Sequence, residues 1–139
     1  MTSTPQPTGT APAQQGKILV IDDNDDFRNM IKELLAPLGM EVLTAASPVK
    51  ALEMFTREKD NVKIVLLDYY MPQLDGPKTF EWLRKLSPTV KVLIVSGADE
   101  LRLRQMQTQY KIDGYLHKPF RAQDAMLLIQ RVLKQPVRT

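Results

Sequence analysis

The sequence predicts a doubly wound α/β fold, in which helices cover both faces of a parallel sheet. Two observations lead to this prediction. Short apolar runs typical of buried strands alternate with segments whose apolar residues recur at helical spacing, and the alternation occurs five times between Lys17 and Leu133. Each unit is about two dozen residues long, which suits a strand with a helical crossover to a parallel neighbour.

The composition fits one globular domain. Hydrophobic residues make up 43% of the 139 residues and charged residues 25%. Residues 1–16 are rich in proline and carry no charged side chain, so we expect a disordered tail, a domain over 17–135 and a short C-terminal end at 136–139. With no cysteine, no secretory signal and no apolar run long enough to cross a membrane, a cytoplasmic location is expected. Lys and Arg are scattered, which argues against a nucleic-acid face.

The first unit begins with a buried strand over residues 18–21 and an acidic turn over residues 22–26. A helix follows, because apolar residues then recur at helical spacing, and it ends near Pro37 and Gly39. The residues expected on its inner face are Phe27, Met30, Ile31, Leu34, Leu35 and Leu38.

The second unit has a short strand over residues 41–45. Ser47 and Pro48 then supply the N-cap and the first-turn proline of a helix. The residues expected to face inward from this helix are Val49, Leu52 and Phe55.

The last three units follow the same pattern, with predicted strands at residues 63–67, 90–95 and 112–116. Gly76 and Pro77 open the third helix. The fourth helix, from about Asp99 to Gln109, has few apolar residues, so its exposed face is wide or its packing loose. The residues expected to pack inward from the three helices are Phe80, Leu83, Leu86, Leu101, Leu103, Met106, Ala125, Leu128, Ile129, Val132 and Leu133.

Polar side chains follow four of the five predicted strands, and the C-terminal ends of parallel strands meet at one edge of the sheet. These side chains are Asp22, Asp23, Asp68, Ser96 and Lys118. Each has an ordinary alternative explanation: the aspartates and the serine could cap helices or turns, and the lysine could be a solvated charge. If each of the five had only its ordinary role, their meeting at one edge would require five separate coincidences.

Carboxylates crowded at this edge would favour a bound cation, since two of them about 5 Å apart repel by roughly 3 kcal/mol at an effective dielectric constant near 20. Oxygen ligands with open positions suit Mg²⁺. A metal ion beside a carboxylate and a lysine suits phosphoryl transfer, with Asp68 as the nucleophile.

Four segments closely resemble the receiver domain of two-component response regulators. They are ILVIDD at 18–23, LDYYMPQLDG at 67–76, VSGA at 95–98 and GYLHKPF at 114–120. The resemblance covers about residues 17–133. It implies a flavodoxin-like (βα)5 fold whose five-stranded parallel sheet has the order 2-1-3-4-5.

The resemblance also implies roles for the residues at the strand ends. Asp68 would accept a phosphoryl group from a sensor histidine kinase or a histidine phosphotransfer protein. Lys118 would pair with the acyl phosphate, and its bond to Pro119 would be cis. The implied Mg²⁺ ligands are Asp23, Asp68 and the backbone carbonyl of Tyr70, with Asp22 acting through water.

A switch is implied as well. Ser96 would move to the phosphoryl oxygens and Tyr115 would turn inward, which would alter the surface of the fourth helix, fifth strand and last helix. An ordinary strand aromatic is the alternative for Tyr115. The altered surface would signal to a protein partner or to an output domain not seen here, with no direct nucleic-acid or membrane contact, as a monomer or a phosphorylation-dependent homodimer.

One departure from the family pattern affects how long the phosphoryl group would stay. Tyr70, two residues after Asp68, is bulky where a small or polar residue is common, and Ala98 lies two residues after Ser96. The ring could obstruct the attacking water, so we expect slow autodephosphorylation. The domain would otherwise catalyse only its own phosphorylation and is not expected to be an enzyme in the usual sense.

Three alternatives belong to other classes. A pseudo-receiver would bind partners without phosphorylation, although all five site groups are present. A haloacid-dehalogenase-type phosphatase, suggested by the sequence Asp-Asn-Asp at 23–25, would leave Asp68 and Lys118 unexplained. A calcium-binding EF-hand loop, suggested by acidic and amide residues between 22 and 33, has Phe27 where the loop needs glycine.

Overall fold

A computed structural model describes residues 16–69 and 76–136, without the side chains of residues 76 and 77. The strands are β1 Lys17–Ile21, β2 Glu41–Ala45, β3 Val62–Asp68, β4 Lys91–Ser96 and β5 Gly114–His117. The helices are α1 Asp25–Leu35, α2 Pro48–Glu58, α3 Gly76–Leu86, α4 Glu100–Tyr110 and α5 Ala122–Lys134, with a 3₁₀ turn over Ala36–Leu38 after α1.

All five strands are parallel and lie in the order β2-β1-β3-β4-β5. The predicted fold class and strand order are therefore confirmed. In the register of the sheet, Asp68 lies beside Val95 and Ser96 lies beside His117. The ends of β3, β4 and β5 thus stop at nearly the same level, and the residues that follow them share one edge.

Two hydrophobic clusters cover the two faces of the sheet, because alternate residues of a strand point to opposite faces. On β3, Ile64 and Leu66 belong to one cluster, and Val65 and Leu67 belong to the other. The first cluster is completed by α1 and α5, and the second by α2, α3 and α4. The central strand is thereby buried on both faces, which fixes the position of the residue at its end.

Three predicted inward residues are exposed instead. Val49 is 66% exposed and Leu101 65% exposed. Each lies two residues before a fully buried one, Ala51 and Leu103 respectively, and two residues correspond to about 200° around a helix. They point away from the sheet for that reason. Met30, at 41% exposed, lies at the margin of the buried face of α1.

The helix starts follow the sequence closely in two cases. The Ser47 hydroxyl accepts a hydrogen bond from the amide of Lys50, with Pro48 in the first turn of α2. Asp99 caps α4 by accepting from the amide of Arg102 at 2.8 Å. The fourth and fifth strands begin one and two residues later than predicted and include Ser96 and His117.

Lys91, at the start of β4, lies at the edge of the sheet opposite the carboxylates and is only 7% exposed. Its ammonium group donates to the carbonyl of Val132 at 2.7 Å and to that of Gln135. A cleft of about 670 Å³ beside it is lined by residues that include Lys63 and Gln135. The lysine therefore anchors the end of α5 to the sheet.

The predicted tail lies outside the described residues except for Gly16, which is buried against Lys63. In the described part of the chain, no helix has the length and apolar character needed to cross a membrane.

Candidate functional site

Four strands deliver polar side chains to one edge of the sheet. Asp22 directly follows β1, Asp68 and Ser96 end β3 and β4, and Lys118 directly follows β5. Asp22 and Ser96 are 1% exposed and Asp68 is 7% exposed, whereas the Lys118 side chain keeps 30% of its surface in solvent. Buried polar groups need partners, so their contacts with one another decide whether this edge forms a site.

The three aspartates form a close cluster. One carboxylate oxygen each from Asp22, Asp23 and Asp68 lie within 4.8 Å of one another, with Asp23 exposed and the other two buried. Three hard oxygen donors at this spacing, one of them open to solvent, suit a small divalent cation that retains water molecules. The cluster could therefore hold a metal ion. Tyr70, whose backbone carbonyl was another expected ligand, lies outside the described residues.

The Lys118 ammonium group joins this cluster. Its Nζ lies 3.1 Å from Asp22 Oδ2 and 3.7 Å from Asp68 Oδ2. The backbone amide of Lys118 donates to the carbonyl of Ser96 at 2.7 Å, which fixes the start of the β5 loop against the end of β4. The peptide bond to Pro119 is cis, as the resemblance implies. The lysine is thus brought to the carboxylates by the loop after β5.

Asp22 is held rigidly by its own neighbours. Its Oδ1 accepts from the amide of Asn24 at 2.8 Å, and its carbonyl accepts from Arg28 Nη1 at 2.7 Å. The cap of α1 is Asn24, whose Oδ1 accepts from the amide of Phe27 at 2.8 Å. Neither Asp22 nor Asp23 is therefore the N-cap of the first helix, and their carboxylates remain with the cluster.

Ser96 is likewise not the cap of the fourth helix, because Asp99 has that role. The Ser96 hydroxyl instead accepts from the amide of Ala98 at 3.0 Å, within the loop after β4. Its place at the end of β4 brings it to the same edge of the sheet as Asp68, where a hydroxyl is a ready hydrogen-bond donor for an anion.

Tyr115 lies half-buried on β5, and its hydroxyl donates to Glu100 Oε2 in the first turn of α4 at 2.7 Å. This hydrogen bond to a carboxylate favours the neutral phenol and raises the Tyr115 pKa above its ordinary value of 10.0. A side-chain contact thus links β5 to α4, the helix whose apolar face is sparse.

Phe27 contacts the site through Lys118, although no motif in the sequence assigned it there. The Lys118 Nζ lies 4.2 Å from the centroid of the Phe27 ring, and that ring and the Phe120 ring pack edge to face with centroids 6.0 Å apart. The available signal was its place in the first turn of the helix, directly after the acidic turn. That signal is weak, because an apolar residue in the first turn is typical of the inner face of a helix.

A sequence model of a known family, described as the response regulator receiver domain, matches residues 18–130. A probable transcriptional regulator, ycf27 of Porphyridium aerugineum, is 34% identical over 122 residues, which are 88% of this chain and 50% of that protein. The sensor kinase CckA of Brucella abortus is 34% identical over 119 residues, 85% of this chain and 12% of the kinase. The chain spans about half the length of the transcriptional regulators it matches.

Among solved structures, a response regulator receiver domain protein from Clostridium thermocellum is 35% identical, with a TM-score of 0.77. The match covers 85% of this chain and 94% of that one.

Proposed function

The chain belongs to the response regulator receiver domain family, and on that premise we propose that it signals by accepting a phosphoryl group on Asp68. The observation that best supports this proposal is the position of Lys118, whose ammonium group lies within 3.7 Å of two carboxylates of a three-aspartate cluster. A cation held between a nucleophile and a candidate metal site suits phosphoryl transfer, in which neutralising the phosphoryl oxygens is the main requirement.

The proposed step is a displacement at phosphorus. A carboxylate oxygen of Asp68 forms a bond to the phosphorus atom of a phosphohistidine, while the bond between phosphorus and the imidazole nitrogen breaks. The electron pair stays on that nitrogen, which takes a proton from solvent. Lys118 then pairs with an oxygen of the acyl phosphate, since its ammonium group already lies between Asp68 and Asp22.

Mg²⁺ is the proposed ion because the cluster offers only carboxylate oxygens. When bound, it would neutralise charge on the phosphoryl oxygens. Asp23 and Asp68 would hold it directly and Asp22 through water, with the carbonyl of Tyr70 as a further proposed ligand. The two buried carboxylates are fixed by β1 and β3, so their positions depend little on the ion.

The proposed switch runs from Ser96 to Tyr115. The Ser96 hydroxyl would leave the amide of Ala98 to donate to the phosphoryl group, and Tyr115 would leave Glu100 and turn inward. Because the Tyr115 bond ties β5 to α4, its loss would change the surface made by α4, β5 and α5. That surface is the proposed output.

The proposed partners follow from the same chemistry. The phosphodonor would be a sensor histidine kinase or a histidine phosphotransfer protein in the cytoplasm, and the recipient of the signal would be a protein or an attached output domain. The relatives that are transcriptional regulators are about twice the length of this chain, which supports an attached domain as one of these outcomes. The domain is proposed to act as a monomer or as a phosphorylation-dependent homodimer.

Mass spectrometry after incubation with acetyl phosphate and MgCl₂ tests the proposal. Wild-type protein should gain one phosphoryl group, Asp68→Asn should gain none, and the matched exposed variant Asp60→Asn should behave as wild type. An unchanged wild-type mass would indicate a pseudo-receiver. Phosphorylation that persists in Asp68→Asn would favour the phosphatase alternative, in which the first-strand carboxylate is the nucleophile.

Calorimetric titration with MgCl₂ tests the ion separately from the reaction. Binding should weaken in Asp22→Asn and Asp23→Asn and be unaffected in Asp60→Asn. Equal affinity in all four proteins would mean that the cluster is not the metal site.

A further inference from the structure

Among the described residues the ammonium group of Lys118 has three partners, two of which are anions. Asp22 Oδ2 and Asp68 Oδ2 lie 3.1 and 3.7 Å from Nζ, and the face of the Phe27 ring is the third partner, with its centroid at 4.2 Å. An ammonium group at this distance over a ring is attracted by the negative face of the π system. We propose that Phe27 is a positioning residue that holds Lys118 over the phosphoacceptor edge.

The two carboxylate partners both have other proposed uses. Asp22 and Asp68 are candidate metal ligands, and Asp68 is also the proposed nucleophile. An ion pair with either group therefore competes with the chemistry of the site. The Phe27 ring carries no charge and binds neither metal nor phosphate, so its attraction for Lys118 persists whatever occupies the carboxylates.

The position of the ring is set by the fold and not by the lysine. The amide of Phe27 donates to the capping side chain of Asn24 at 2.8 Å, which places Phe27 in the first turn of α1. The ring also packs in the cluster formed by α1 and α5 and meets Phe120 edge to face at an interplanar angle of 87°. By contrast, Lys118 is a flexible side chain that keeps 30% of its surface in solvent. The ring is the fixed partner and the lysine is the mobile one.

This inference rests on the proposed function, because it assumes that Lys118 assists phosphorylation of Asp68. It adds a residue that sets the rate without contacting the phosphoryl group. Phosphorylation should slow when the ring loses its negative face, even if the ring keeps its shape. The expected loss is about twofold to fivefold, the range of a partly exposed cation–π contact.

A fluorination series separates the electrostatic role of the ring from its packing. Phe27 is replaced, at this position only, by phenylalanine with one, two or three ring fluorines, and the rate of mass increase with acetyl phosphate and MgCl₂ is measured. The rate should fall in steps with each fluorine, while the melting temperature stays nearly constant. The same series at Phe120, which meets Phe27 but not Lys118, is the matched control and should leave the rate unchanged.

A second readout does not depend on phosphorylation. Proton NMR of the unphosphorylated protein should show the ε-methylene protons of Lys118 shifted upfield by the Phe27 ring current, and Phe27→Leu should remove that shift. A rate that is flat across the Phe27 series, an equal fall in the Phe120 series, or an unshifted Lys118 resonance would each overturn the inference. If wild-type protein gains no phosphoryl group, the proposed function fails, and the NMR result still decides whether Phe27 holds Lys118.

Discussion

Replacing Asp68 with asparagine should stabilise the metal-free protein although it removes the proposed phosphoacceptor. Asp68 is 7% exposed, and one oxygen of its carboxylate lies within 4.8 Å of an oxygen of Asp22 and of Asp23. At this upper limit of 4.8 Å each pair repels by about 3.5 kcal/mol at an effective dielectric constant of 20. Attraction to Lys118 at 3.7 Å offsets about 4.5 kcal/mol on the same scale.

These opposing energies decide the sign of the change. Because Asp23 is exposed, solvent screens roughly half of its repulsion, so the repulsion of Asp68 by the two other carboxylates is still slightly larger than its attraction to Lys118. Asparagine also avoids the cost of burying a charge and can donate its amide to a neighbouring carboxylate. We expect Asp68→Asn to raise the free energy of unfolding by about 1–2 kcal/mol in the presence of a chelator.

Urea unfolding followed by circular dichroism measures this difference, with EDTA present and again with MgCl₂. The advantage of Asp68→Asn should shrink in MgCl₂, since an ion that binds the native wild-type cluster stabilises it. Asp60→Asn, an exposed carboxylate at the opposite edge, is the control and should differ little from wild type. If Asp68→Asn is no more stable than wild type in EDTA, crowding of the carboxylates does not strain the native state.

Two described contacts and one feature of the sequence, Tyr70, give three further predictions. Glu100 raises the Tyr115 pKa, so the folded state holds the phenolic proton more tightly than the unfolded chain does. The resulting stabilisation of the folded state is present below pH 10.0 and is lost as the pH rises through the folded-state pKa. Glu100→Gln should lower that pKa in an ultraviolet titration of tyrosinate, and an unchanged titration would contradict the assigned cause. Tyr70→Asn should speed phosphate release from the phosphorylated protein severalfold with MgCl₂ present, and an unchanged rate would exclude obstruction by the ring. Lys91→Met should lower the free energy of unfolding by about 1–3 kcal/mol, because two carbonyls at the end of α5 lose their hydrogen-bond donor. The control Lys63→Met, at an exposed lysine, should have little effect. Equal urea midpoints for the two variants would contradict the role of Lys91 in holding α5.

The fold could be predicted because short apolar runs typical of strands, alternating with apolar residues at helical spacing, dominate the sequence. The apolar runs mark all five strands, and the strand order follows from the resemblance to receiver domains. Individual helix faces were harder to predict. Val49 and Leu101 are apolar residues near helix starts, but the sheet approaches from the other side of each helix, and that direction is set by tertiary packing.

The candidate site could be predicted to the level of which residues meet. Asp22, Asp68 and Lys118 come together because parallel strands end at one edge of the sheet. The order of strands and helices along the chain was enough to predict that these residues meet. The contacts of the lysine with Phe27 and of Tyr115 with Glu100 were not predicted. Both join side chains from different units, and their geometry depends on how the helices are rotated against the sheet.

The anchoring of α5 by Lys91 has a consequence for how this unit can be joined to others. The described chain enters at Gly16, beside Asn61 and Lys63, and Gln135, the residue directly after α5, has its carbonyl bound by Lys91. Both ends therefore lie across the sheet from Asp68. A segment that leaves the described unit at either of these ends therefore starts from the edge opposite the proposed phosphoacceptor. The relatives include transcriptional regulators matched over about half of their length and a sensor kinase matched over 12% of its length.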